Sequence, residues 1–462
     1  MFGRKKTGHQ GLNIIIVGCG KVGATLVERL SQEGHDITII DKNAEKIQEI
    51  SNLYDVMGLV GNGASYSVLK EAGVDNADLI IAVADSDELN LLCCTVAKRV
   101  GNCAAIARVR TPDYSQEIDY LREKLGLAKI INPESAFARE VARILAMPNA
   151  LEVDSFHGRA ELVKFKIPKG NMLDGMTIET LGGMMNIQCI ICAVEKEGEV
   201  YIPSGKFVLH EGDIVSVVAS KHDLKTFFEK IGFKTKRVND VMIIGGGKAA
   251  YYLAKRLMYT GIDVKIIEQN RQRCEELSIL LPKAIIINGD GTDQELLKEE
   301  GIDATEAFIA LTGIDEENIL LTLHANQVSN AKVVTKINRM NFKEVIGTLD
   351  LGSVVYPRYV TAEAIIAYVR AKNNSRNSNI ETLHHMYDNR VEAIEFRVEK
   401  KSLVTNIPLK DLKLKKSLLV SCISRDGRLI IPSGQDSIQV GDCVIIVTTH
   451  TGFHDIQDIL EQ

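Results

Sequence analysis

The sequence predicts an α/β protein in which two doubly wound parallel sheets alternate with two small α+β domains. Apolar runs of strand length alternate with helical segments, and the first half of the 462-residue chain realigns on the second half. A smaller module also recurs after each sheet. Strand–helix alternation produces right-handed crossovers and a parallel sheet, and a repeat of this length implies duplicated domains. We therefore expect four domains in the order A–B–A′–B′.

Domain A shows the alternation most clearly. Its apolar runs predict strands at Asn13–Val17, Asp36–Ile40, Val56–Val60, Leu79–Val83, Ala104–Val109 and Lys129–Ile131. Periodic segments between and after them predict helices at Lys21–Glu33, Ala44–Leu53, Ser65–Ala72, Asp87–Val100 and Ser135–Ala146. Ile16–Asn43 aligns without gaps on Ile243–Asn270, so A′ should share this fold.

Domain B has short strands separated by turns. Strands are predicted at Glu161–Ile167, Ile187–Val194, Glu199–Pro203 and Asp213–Val218, with a closing helix at Lys221–Ile231. The Ile-Pro-Ser-Gly run that begins at Ile202 and the later Gly-Asp at Gly212 recur as Ile431 to Gly434 and Gly441-Asp442 in B′. This pattern indicates a small α+β domain present twice.

Turn-forming and polar residues give the domain boundaries. Pro148-Asn149 ends A, Lys234–Asn239 is a polar linker into A′, and Asn373–Asn379 is a Ser/Asn-rich joint before B′. The predicted domains are 12–146 and 239–371, with the first and second parallel sheets, and 149–232 and 380–462, the two small domains.

A glycine-rich turn follows the first strand and opens the first helix. In Gly18-Cys19-Gly20-Lys21-Val22-Gly23, the glycines would allow a tight turn, close approach to a pyrophosphate and close helix–strand packing. Phosphate would lie at the helix N-terminus. Asp41, at the end of the second strand, would accept hydrogen bonds from ribose hydroxyls and repel a 2′-phosphate. This context predicts a Rossmann site for NAD or an adenine nucleotide, whereas a turn without ligand is the alternative.

The second copy is similar but not identical. It reads Gly245-Gly246-Gly247-Lys248-Ala249-Ala250, with Glu268 as the acid. Alanine is tolerated at the third glycine position, although the helix must then stand slightly further from its strand. We expect a second nucleotide site here.

Charged residues also end later strands. Asp85 follows the fourth strand and Arg108 ends the fifth, at the sheet edge where open α/β proteins bind ligands. Their counterparts in A′ are Thr312 and Lys336. A cation there could meet phosphates, bridge to a neighbouring domain or simply be solvated; because the position is charged in both copies, we favour a functional role.

Composition narrows the function classes. The net charge of −6 gives no electrostatic reason to expect nucleic acid or an anionic membrane surface as partner. Even the richest apolar runs are far shorter than the ~18 residues of a membrane helix, and the N-terminus lacks a signal-peptide core. Nine cysteines, mostly within apolar runs, favour buried thiols in a reducing compartment. These features predict a cytoplasmic protein.

Two metal-like patterns have simpler explanations. Cys189 and Cys192 have a zinc-like spacing, but no second ligand pair follows them and their run is apolar. His384-His385 has no counterpart in B and is interpreted as a surface pair. We expect no metal site from these motifs.

An NAD-dependent oxidoreductase is the enzymatic alternative. Such an enzyme needs a substrate domain with an acid or base aimed at the hydride carbon. The residues that B and B′ share are turn formers, and Asp213 and Asp442 follow a glycine just before a strand, as turn residues do. We therefore favour a non-enzymatic role, without catalytic residues.

The motifs together resemble the TrkA family of RCK (KTN) proteins, the cytosolic NAD-binding regulatory subunits of bacterial Trk potassium uptake systems. The resemblance rests on GCGKVG at 18–23 with Asp41, ADSDELN at 84–90, ARVRTPDY at 107–114, the paired IPSG…GD runs and the four-module order. It implies RCK N-terminal domains for A and A′ and RCK C-terminal domains for B and B′.

The resemblance also implies ligands and partners. Nucleotide-binding residues carried over by motif are Gly18, Cys19, Gly20, Lys21, Val22, Gly23, Asp41, Ala84, Asp85, Arg108, Gly245, Gly246, Gly247, Lys248, Ala249 and Glu268. The implied ligands are NAD⁺, NADH, ATP and ADP. The implied assembly is a homotetramer, peripheral on the cytoplasmic face of the membrane, that regulates K⁺ flux through a TrkH- or TrkG-like subunit. Regulation of another ion channel or antiporter is the alternative within RCK proteins. Ala250, Thr312 and Lys336 depart from the first copy, so the two sites are expected to differ in nucleotide preference.

Overall fold

The computed structural model describes residues 11–112, 114, 117–147, 150–156, 160–185, 187–233, 238–338, 343–377, 379–387 and 390–461. The boundary predicted at Pro148-Asn149 and most of the linker, Lys234–Arg237, lie outside these residues. The described chain divides into two compact units. The first contains the chain up to Arg139 together with Gly247–Leu253 and Tyr356–Val369, and the second contains the remainder.

The first unit is built on a six-stranded parallel sheet. Its strands are β1 (Asn13–Val17), β2 (Asp36–Asp41), β3 (Met57–Val60), β4 (Leu79–Ala82), β5 (Ala104–Arg108) and β6 (Lys129–Ile131). Its helices are α1 (Lys21–Gln32), α2 (Ala44–Leu53), α3 (Tyr66–Glu71), α4 (Asp87–Gly101), α5 (Ile118–Lys124) and α6 (Pro133–Ala146), which continues into the second unit. The strand order is β3-β2-β1-β4-β5-β6. The chain therefore reverses its winding direction between β1 and β4, where doubly wound sheets open a crevice at their carboxyl edge.

Local sequence explains where these helices begin and end. The side chain of Asn43 accepts a hydrogen bond from Lys46 N at the start of α2, and that of Ser86 accepts one from Leu89 N at the start of α4. Such caps satisfy backbone N–H groups that have no partner within the helix. Helix α4 ends at Asn102, which adopts a left-handed conformation with φ of 54°.

The first small domain belongs to the second unit. It contains β7 (Glu152–Phe156), β8 (Ala160–Lys166), α7 (Ile178–Met185), β9 (Cys189–Lys196), β10 (Glu199–Tyr201), β11 (Ile214–Ala219) and α8 (Lys221–Lys230). The strands form an antiparallel sheet in the order β10-β9-β11-β8-β7. Phe165, Phe227 and Phe228 meet edge to face beneath it, so the helix after the sheet covers its apolar face.

The second parallel sheet repeats the first, with order β14-β13-β12-β15-β16-β17. Its strands are β12 (Asp240–Ile244), β13 (Asp263–Glu268), β14 (Ile285–Asn288), β15 (Ala307–Ala310), β16 (Lys332–Lys336) and β17 (Ser353–Val355). Its helices are α9 (Lys248–Tyr259), α10 (Arg271–Leu280), α11 (Gln294–Glu299), α12 (Asp315–Val328) and α13 (Lys343–Thr348), followed by the long helix α14 (Pro357–Asn377).

The second small domain repeats the sheet of the first. Its strands are β18 (Ile380–Met386), β19 (Val391–Arg397), β20 (Leu418–Arg425), β21 (Arg428–Ile430) and β22 (Cys443–Thr448), in the order β18-β19-β22-β20-β21. Helix α8 of the first small domain is matched here by a short 3₁₀ helix at Ile456–Ile459. The fold class predicted from the sequence is thus confirmed.

Helix α14 packs on the first parallel sheet although it follows the second sheet in the chain. Ile365, Ile366 and Val369 of α14 are buried in one apolar cluster with Leu26 and Ile39 of the first domain. Lys129 Nζ at β6 donates a 3.0 Å hydrogen bond to the carbonyl of Ala364. The first unit therefore completes its core with a helix from the second half of the chain.

The two small domains share an apolar interface within the second unit. Phe156, Cys192 and Val218 of the first are buried in one cluster with Val391 and Val447 of the second. Such a cluster excludes water from one face of each sheet.

A buried tyrosine adds hydrogen bonds to this interface. The hydroxyl of Tyr387 lies 2.7 Å from Ser216 Oγ and also donates to the carbonyls of Ile214, at 3.2 Å, and Ala193, at 3.4 Å. Burial raises the pKa of the Tyr387 phenol far above its usual value, so the hydroxyl remains protonated. The hydroxyl groups of Tyr387 and Ser216 are therefore paired as well as buried.

Several expectations about elements are wrong. Asn373–Asn377 does not form an irregular joint, because α14 continues to Asn377, and residue 378 of the predicted joint lies outside the described residues. His384 and His385 lie on β18 and are not surface residues: their side chains are 23% and 15% exposed. His384 Nδ1 is 3.4 Å from Asp154 Oδ1 and its ring meets Phe156 edge to face. β7 and α7 are absent from the predicted elements, and the domain boundaries themselves stay predictions.

Among the described residues, none of the helices combines the length and apolarity that a membrane crossing requires.

We expect the Lys332→Met variant to be more stable than the parent chain at pH 7. Lys332 Nζ donates a 2.6 Å hydrogen bond to the carbonyl of Ala150, and burial lowers its pKa from 10.5 to about 8. The folded chain therefore resists protonation of this amine, so its stability should rise as the pH increases from 8 to 10.5, by at most about 1.4 kcal/mol per pH unit. Denaturant midpoints of both chains across this range would measure the effect.

The variant should lose that rise, because methionine carries no titratable group. Lys298→Met, in α11 outside this contact, is the matched control and should keep the parent's pH dependence. Parallel curves for Lys332→Met and the parent would contradict the assignment.

Candidate functional site

The first glycine turn has the geometry that its sequence predicts. Gly18 has φ of 108°, and a Cβ there would lie 2.8 Å from Ala84 N, so a side chain is excluded by both conformation and space. A Cβ on Gly23 would lie 1.9 Å from Gly18 O, so glycine is required for close helix–strand packing. A Cβ on Gly20 would meet no atom within 4 Å. The middle glycine therefore faces open space, as close approach of a ligand requires.

Asp41 holds the turn through backbone donors. Cys19 N donates a 2.6 Å hydrogen bond to Asp41 Oδ2, and Asn43 N donates a 2.9 Å bond to Oδ1. The thiol of Cys19 is buried, and burial together with the Asp41 charge raises its pKa to about 12. Cys19 therefore contributes its backbone N–H here and has no reactive thiolate.

The first two residues of α1, which begins at this turn, differ in solvent exposure. Lys21 is exposed, whereas Val22 is buried in the core beneath the sheet. The Lys21 ammonium is thus accessible to an anion at the helix N-terminus, and Val22 anchors the helix. The turn, Asp41 and Lys21 all lie at the carboxyl edge of β1 and β2.

Arg108 is drawn inside the sheet edge. Its Nη2 donates a 2.6 Å hydrogen bond to the carbonyl of Ala84, and the same nitrogen lies 3.7 Å from Asp85 Oδ1. The residue is 8% exposed, whereas the Asp85 side chain is fully exposed. Arg108 Nε is buried without a hydrogen-bond partner among the described residues. A buried guanidinium with an unused N–H is suited to an anion.

Burial dominates the electrostatics of Arg108. Burial and then the nearby Arg110 lower its pKa, whereas Asp85, Glu134 and Asp87 oppose that shift. Arg110 Nε donates a 2.7 Å hydrogen bond to Glu134 Oε1, and Arg110 N donates to Asp87 Oδ2. The cation of Arg110 is therefore already engaged, whereas Arg108 keeps one N–H without a partner among the described residues.

Asn90, which the sequence patterns do not single out as a site residue, fixes the ends of β4 and β5. Its side chain accepts from Ala84 N at 2.8 Å and donates to Ala84 O at 2.9 Å and to Arg108 O at 3.0 Å. Asn318 makes the equivalent bonds to Thr312 and Lys336 in the second copy. The recurrence of this asparagine in both copies is the signal that could have revealed it.

The second copy keeps the acid and the turn. Gly245 has φ of 100° and directly follows β12. Gly246 N donates a 2.7 Å hydrogen bond to Glu268 Oε2, and Asn270 N donates one of 2.7 Å to Oε1. These bonds match those of Asp41 in the first copy, so the carboxylate has the same role although its side chain is longer by one methylene.

The second copy differs around this turn. A Cβ on Gly246 would lie 2.6 Å from Leu277 Cδ1, whereas Cys19 fits a side chain at the same place. Arg273 Nε donates a 2.7 Å hydrogen bond to Gly246 O. A cation thus adjoins the turn from α10.

The remaining predicted residues of the second copy differ in exposure. Gly247 and Lys248 are exposed, Ala249 is half-buried and Ala250 is fully buried. Lys336 Nζ donates to the carbonyl of Leu311 at 3.1 Å, so it occupies the place of Arg108 with a single point charge. These are the substitutions through which the two sites diverge.

Helix α9, which starts at the second turn, also contacts the first domain. Its N-terminal part, Gly247–Leu253, belongs to the first unit. Tyr252 OH donates a 3.3 Å hydrogen bond to the carbonyl of Arg110. The pKa of Glu88 is lowered mainly by hydrogen bonds from Ser86, the Glu88 backbone and Tyr114, and the charge of Lys248 adds a smaller contribution. The start of α9 is therefore close to the carboxyl edge of the first sheet.

The aspartates of the small domains act as turn residues, as their sequence indicates. Asp213 Oδ2 accepts from His210 N at 2.8 Å and Asp442 Oδ2 accepts from Gln439 N at 2.7 Å. Asp442 also receives two hydrogen bonds from Arg425. Both carboxylates therefore stabilise the loop before a strand.

Two known domain families each match the chain twice, and the four matched ranges cover most of its length. The TrkA-N domain matches residues 14–133 and 241–357, and the TrkA-C domain matches residues 162–232 and 393–461. These ranges follow the four modules found in the structure.

Curated relatives span almost the same length. The chain is 32% identical over 442 residues to the Trk system potassium uptake protein TrkA of Haemophilus influenzae, covering 94% of this chain and 95% of the relative. It is 31% identical over 455 residues to TrkA homolog 1 of Methanosarcina mazei, covering 96% and 99%.

Solved structures share the fold at low identity. The GsuK RCK domain matches with a TM-score of 0.62 and 19% identity, covering 95% of this chain and 92% of that one. The GsuK channel bound to NAD matches with a TM-score of 0.61 and 19% identity, covering 95% and 77%. With two TrkA-N and two TrkA-C domains in tandem, and with full-length similarity to these relatives, the chain belongs to the TrkA family.

Proposed function

We propose that this chain is a nucleotide-sensing regulatory subunit of a Trk-type potassium uptake system. The observation that carries the proposal is the buried Arg108, which ends β5 at the carboxyl edge of the sheet that holds the first glycine turn and whose Nε–H has no partner among the described residues. Asp41 and the open space at Gly20 complete a site with places for phosphate and ribose.

The ligand class follows from the charges at each end of the site. Lys21, Arg108 and the N-terminus of α1 attract phosphate, whereas Asp41 selects a ribose with free hydroxyls. NAD⁺, NADH, ATP and ADP all have this pattern, but NADP does not because of its 2′-phosphate. Structures of GsuK with NAD and with ADP support the same class by analogy of fold.

The proposed role in potassium uptake rests on full-length similarity. The relatives from Haemophilus influenzae and Methanosarcina mazei described above match over 94% and 96% of this chain. We infer a TrkH- or TrkG-like membrane subunit as partner, a homotetramer, and a peripheral position on the cytoplasmic face of the membrane.

The two nucleotide sites support two different signals. Site one presents Arg108 and Cys19, and site two presents Lys336, Gly246 and Arg273. Because Arg offers a planar fork and Lys a point charge, the phosphate geometry that each prefers is different. If the protein has two conformations that correspond to two transport states, a nucleotide shifts the balance between them only by its difference in affinity for the two.

We expect Asp41→Ala to weaken nucleotide binding at the first site and Glu268→Ala to weaken it at the second. Each change removes a charged acceptor for ribose hydroxyls, which costs about 1.5–3 kcal/mol, or about 10- to 150-fold in affinity. Calorimetric titration of NAD⁺, NADH, ATP and ADP into the full chain would measure both effects. Asp55→Ala, at an exposed position after α2, is the control. Unchanged affinities for all four nucleotides in both variants would refute the sites.

We expect Arg108→Met to reduce nucleotide binding at the first site without lowering the stability of the ligand-free chain by more than about 1 kcal/mol. Methionine fills a similar volume, and removal of a buried charge offsets the loss of one hydrogen bond. At a nucleotide concentration about 100 times Kd, ligand stabilisation in the parent chain is about 2.7 kcal/mol, and the variant should lose most of the part due to the first site.

Thermal melting with and without nucleotide would separate these effects. Arg99→Met, on an exposed position near the end of α4, should behave like the parent chain. If Arg108→Met strongly destabilises the ligand-free chain and leaves nucleotide affinity unchanged, Arg108 has a structural role instead.

Co-expression with a TrkH- or TrkG-like membrane protein tests the partner. We expect the full chain to co-purify with it and nucleotide to change K⁺ flux in reconstituted vesicles. Incubation with NADH and a panel of ketoacids and aldehydes should give no steady turnover. Turnover would favour an oxidoreductase, and absence of a complex in detergent and in vesicles would contradict the regulatory role.

A further inference from the structure

Three metal-ligating side chains meet on neighbouring strands of the second small domain. Glu381 lies on β18, Glu395 on β19 and Cys443 on β22, and each offers one donor atom within 4.8 Å of the other two. β19 is hydrogen-bonded to both other strands, with Glu395 opposite Thr382 on one side and Ile445 on the other. The donors therefore come from three strands of one sheet, with Glu381 at the register shift between Ile380 and Thr382.

The three donors are shielded from solvent to a large extent. Glu395 is 1% exposed and Cys443 is 2% exposed, whereas the Glu381 side chain is 25% exposed. Carboxylate charge at such depth is costly unless a cation or hydrogen bonds balance it. Placing two carboxylates and a thiol together therefore creates a strong preference for positive charge.

The equivalent place in the first small domain carries its own cation. In the strand register, Arg397 of β19 lies opposite Cys443 of β22. Lys166 of β8 lies opposite Ile214 of β11 in the same way. Two residues earlier on β19 and β8, Glu395 therefore occupies the position of Lys164. In the first domain Lys164 Nζ lies 3.6 Å from Glu152 Oε2 and forms an ion pair. The second domain replaces that lysine by a carboxylate and the apolar Ile214 by a thiol. Glu395 faces Thr382 on the neighbouring strand, where Lys164 faces Glu152, so the ion pair of the first domain has no direct counterpart in the second.

Arg397 is the cation that now adjoins the set. Its Nη1 lies 3.3 Å from Glu381 Oε1 and 3.8 Å from Cys443 Sγ, and the side chain is 49% exposed. Cys443 Sγ itself lies 3.5 Å from Glu381 Oε2. Because the guanidinium reaches the cluster from its solvent side, it can swing outward and give way to a metal ion.

We propose that Glu381, Glu395 and Cys443 form a binding site for a divalent transition metal of the zinc class. Carboxylate and thiolate together match a borderline-soft ion, whereas calcium and magnesium take oxygen donors. Tetrahedral coordination with bonds of about 2.0–2.3 Å places ligand atoms roughly 3.3–3.8 Å apart. Side-chain rotations that move the donor atoms by about 1 Å would bring them to these distances. The thiol releases its proton to solvent on binding, and water takes the fourth position.

The consequence for the protein is a metal cross-link between three strands of the second small domain. The metal would stabilise that domain by its binding free energy, since the unfolded chain lacks a preformed site. Binding is independent of the nucleotide sites, so this proposal can hold or fail separately from the proposed function.

Cobalt titration of the full, reduced chain tests the site directly. Co²⁺ bound to a cysteine thiolate gives a charge-transfer absorption in the near ultraviolet that carboxylates alone do not give. We expect one Co²⁺ per chain to produce this band, Zn²⁺ to abolish it by displacement, and Zn²⁺ to raise the melting temperature. Cys443→Ser should lose the band, and Glu395→Gln should weaken binding about tenfold or more. Cys422→Ser, a buried thiol on the neighbouring strand β20, is the matched control and should keep the band.

Arg397→Ala distinguishes a metal site from a simple ion-pair cluster. If Arg397 competes with the metal, its removal should tighten Co²⁺ binding severalfold. If the cluster serves only to pair Arg397, the variant should lose stability and bind no metal. Absence of the band in the parent chain and in Arg397→Ala, with no Zn²⁺-dependent change in melting temperature, would overturn the proposal even if Cys443→Ser fails to fold.

Discussion

The fold depends on the burial of the first parallel sheet by helix α14. Ile365, Ile366 and Val369 are at most 1% exposed and complete the core around Leu26 and Ile39. Each such side chain contributes about 1.5–3 kcal/mol when it is removed from water. Because α14 follows the second sheet, the first domain acquires its full core only when the second half of the chain has been made. In the second unit, a hydrogen bond also joins the two halves of the chain, because the carbonyl of Ala150 accepts it from the amine of Lys332. The duplicated halves are therefore bound by shared burial in addition to their covalent links.

The turn geometry is the same in both copies, whereas the charges around it vary. Asp41 and Glu268 accept the same two backbone hydrogen bonds, and these bonds set the shape of the loop that would receive a pyrophosphate. Residues beyond the loop are less constrained. Arg108 enters the protein in the first copy, whereas Lys336 satisfies a carbonyl in the second. The small domains also differ in charge, since Lys164 and Ile214 of the first are replaced by Glu395 and Cys443 in the second.

Local sequence predicts most elements because their signals are local. The apolar runs of the parallel strands, the Asn43 and Ser86 caps and the glycine turns all arise from residues within a few positions. Prediction fails where tertiary contacts decide. β7 alternates polar and apolar residues too weakly to be recognised, two glycines in α7 argue against a helix, and Asn373–Asn377 becomes helical as the end of a long packed helix. His384 and His385 are drawn inward because β18 pairs with β19 near the other small domain.

The sequence by itself determines the four-module order, the two glycine turns and the acids that follow them, because these depend on backbone conformation and on repeats that a chain displays directly. The tertiary structure decides what cannot be read from spacing. Burial makes Arg108 a desolvated cation with one N–H that has no partner among the described residues. Asn90 links the ends of β4 and β5 because its side chain donates to the carbonyl of Arg108, 18 residues away in the chain. Pairing of distant strands brings Glu381, Glu395 and Cys443 within 4.8 Å of one another. Each of these properties requires segments that are separate in the chain to become neighbours, and solvent exclusion between them then sets the charge and hydrogen-bonding state of their side chains.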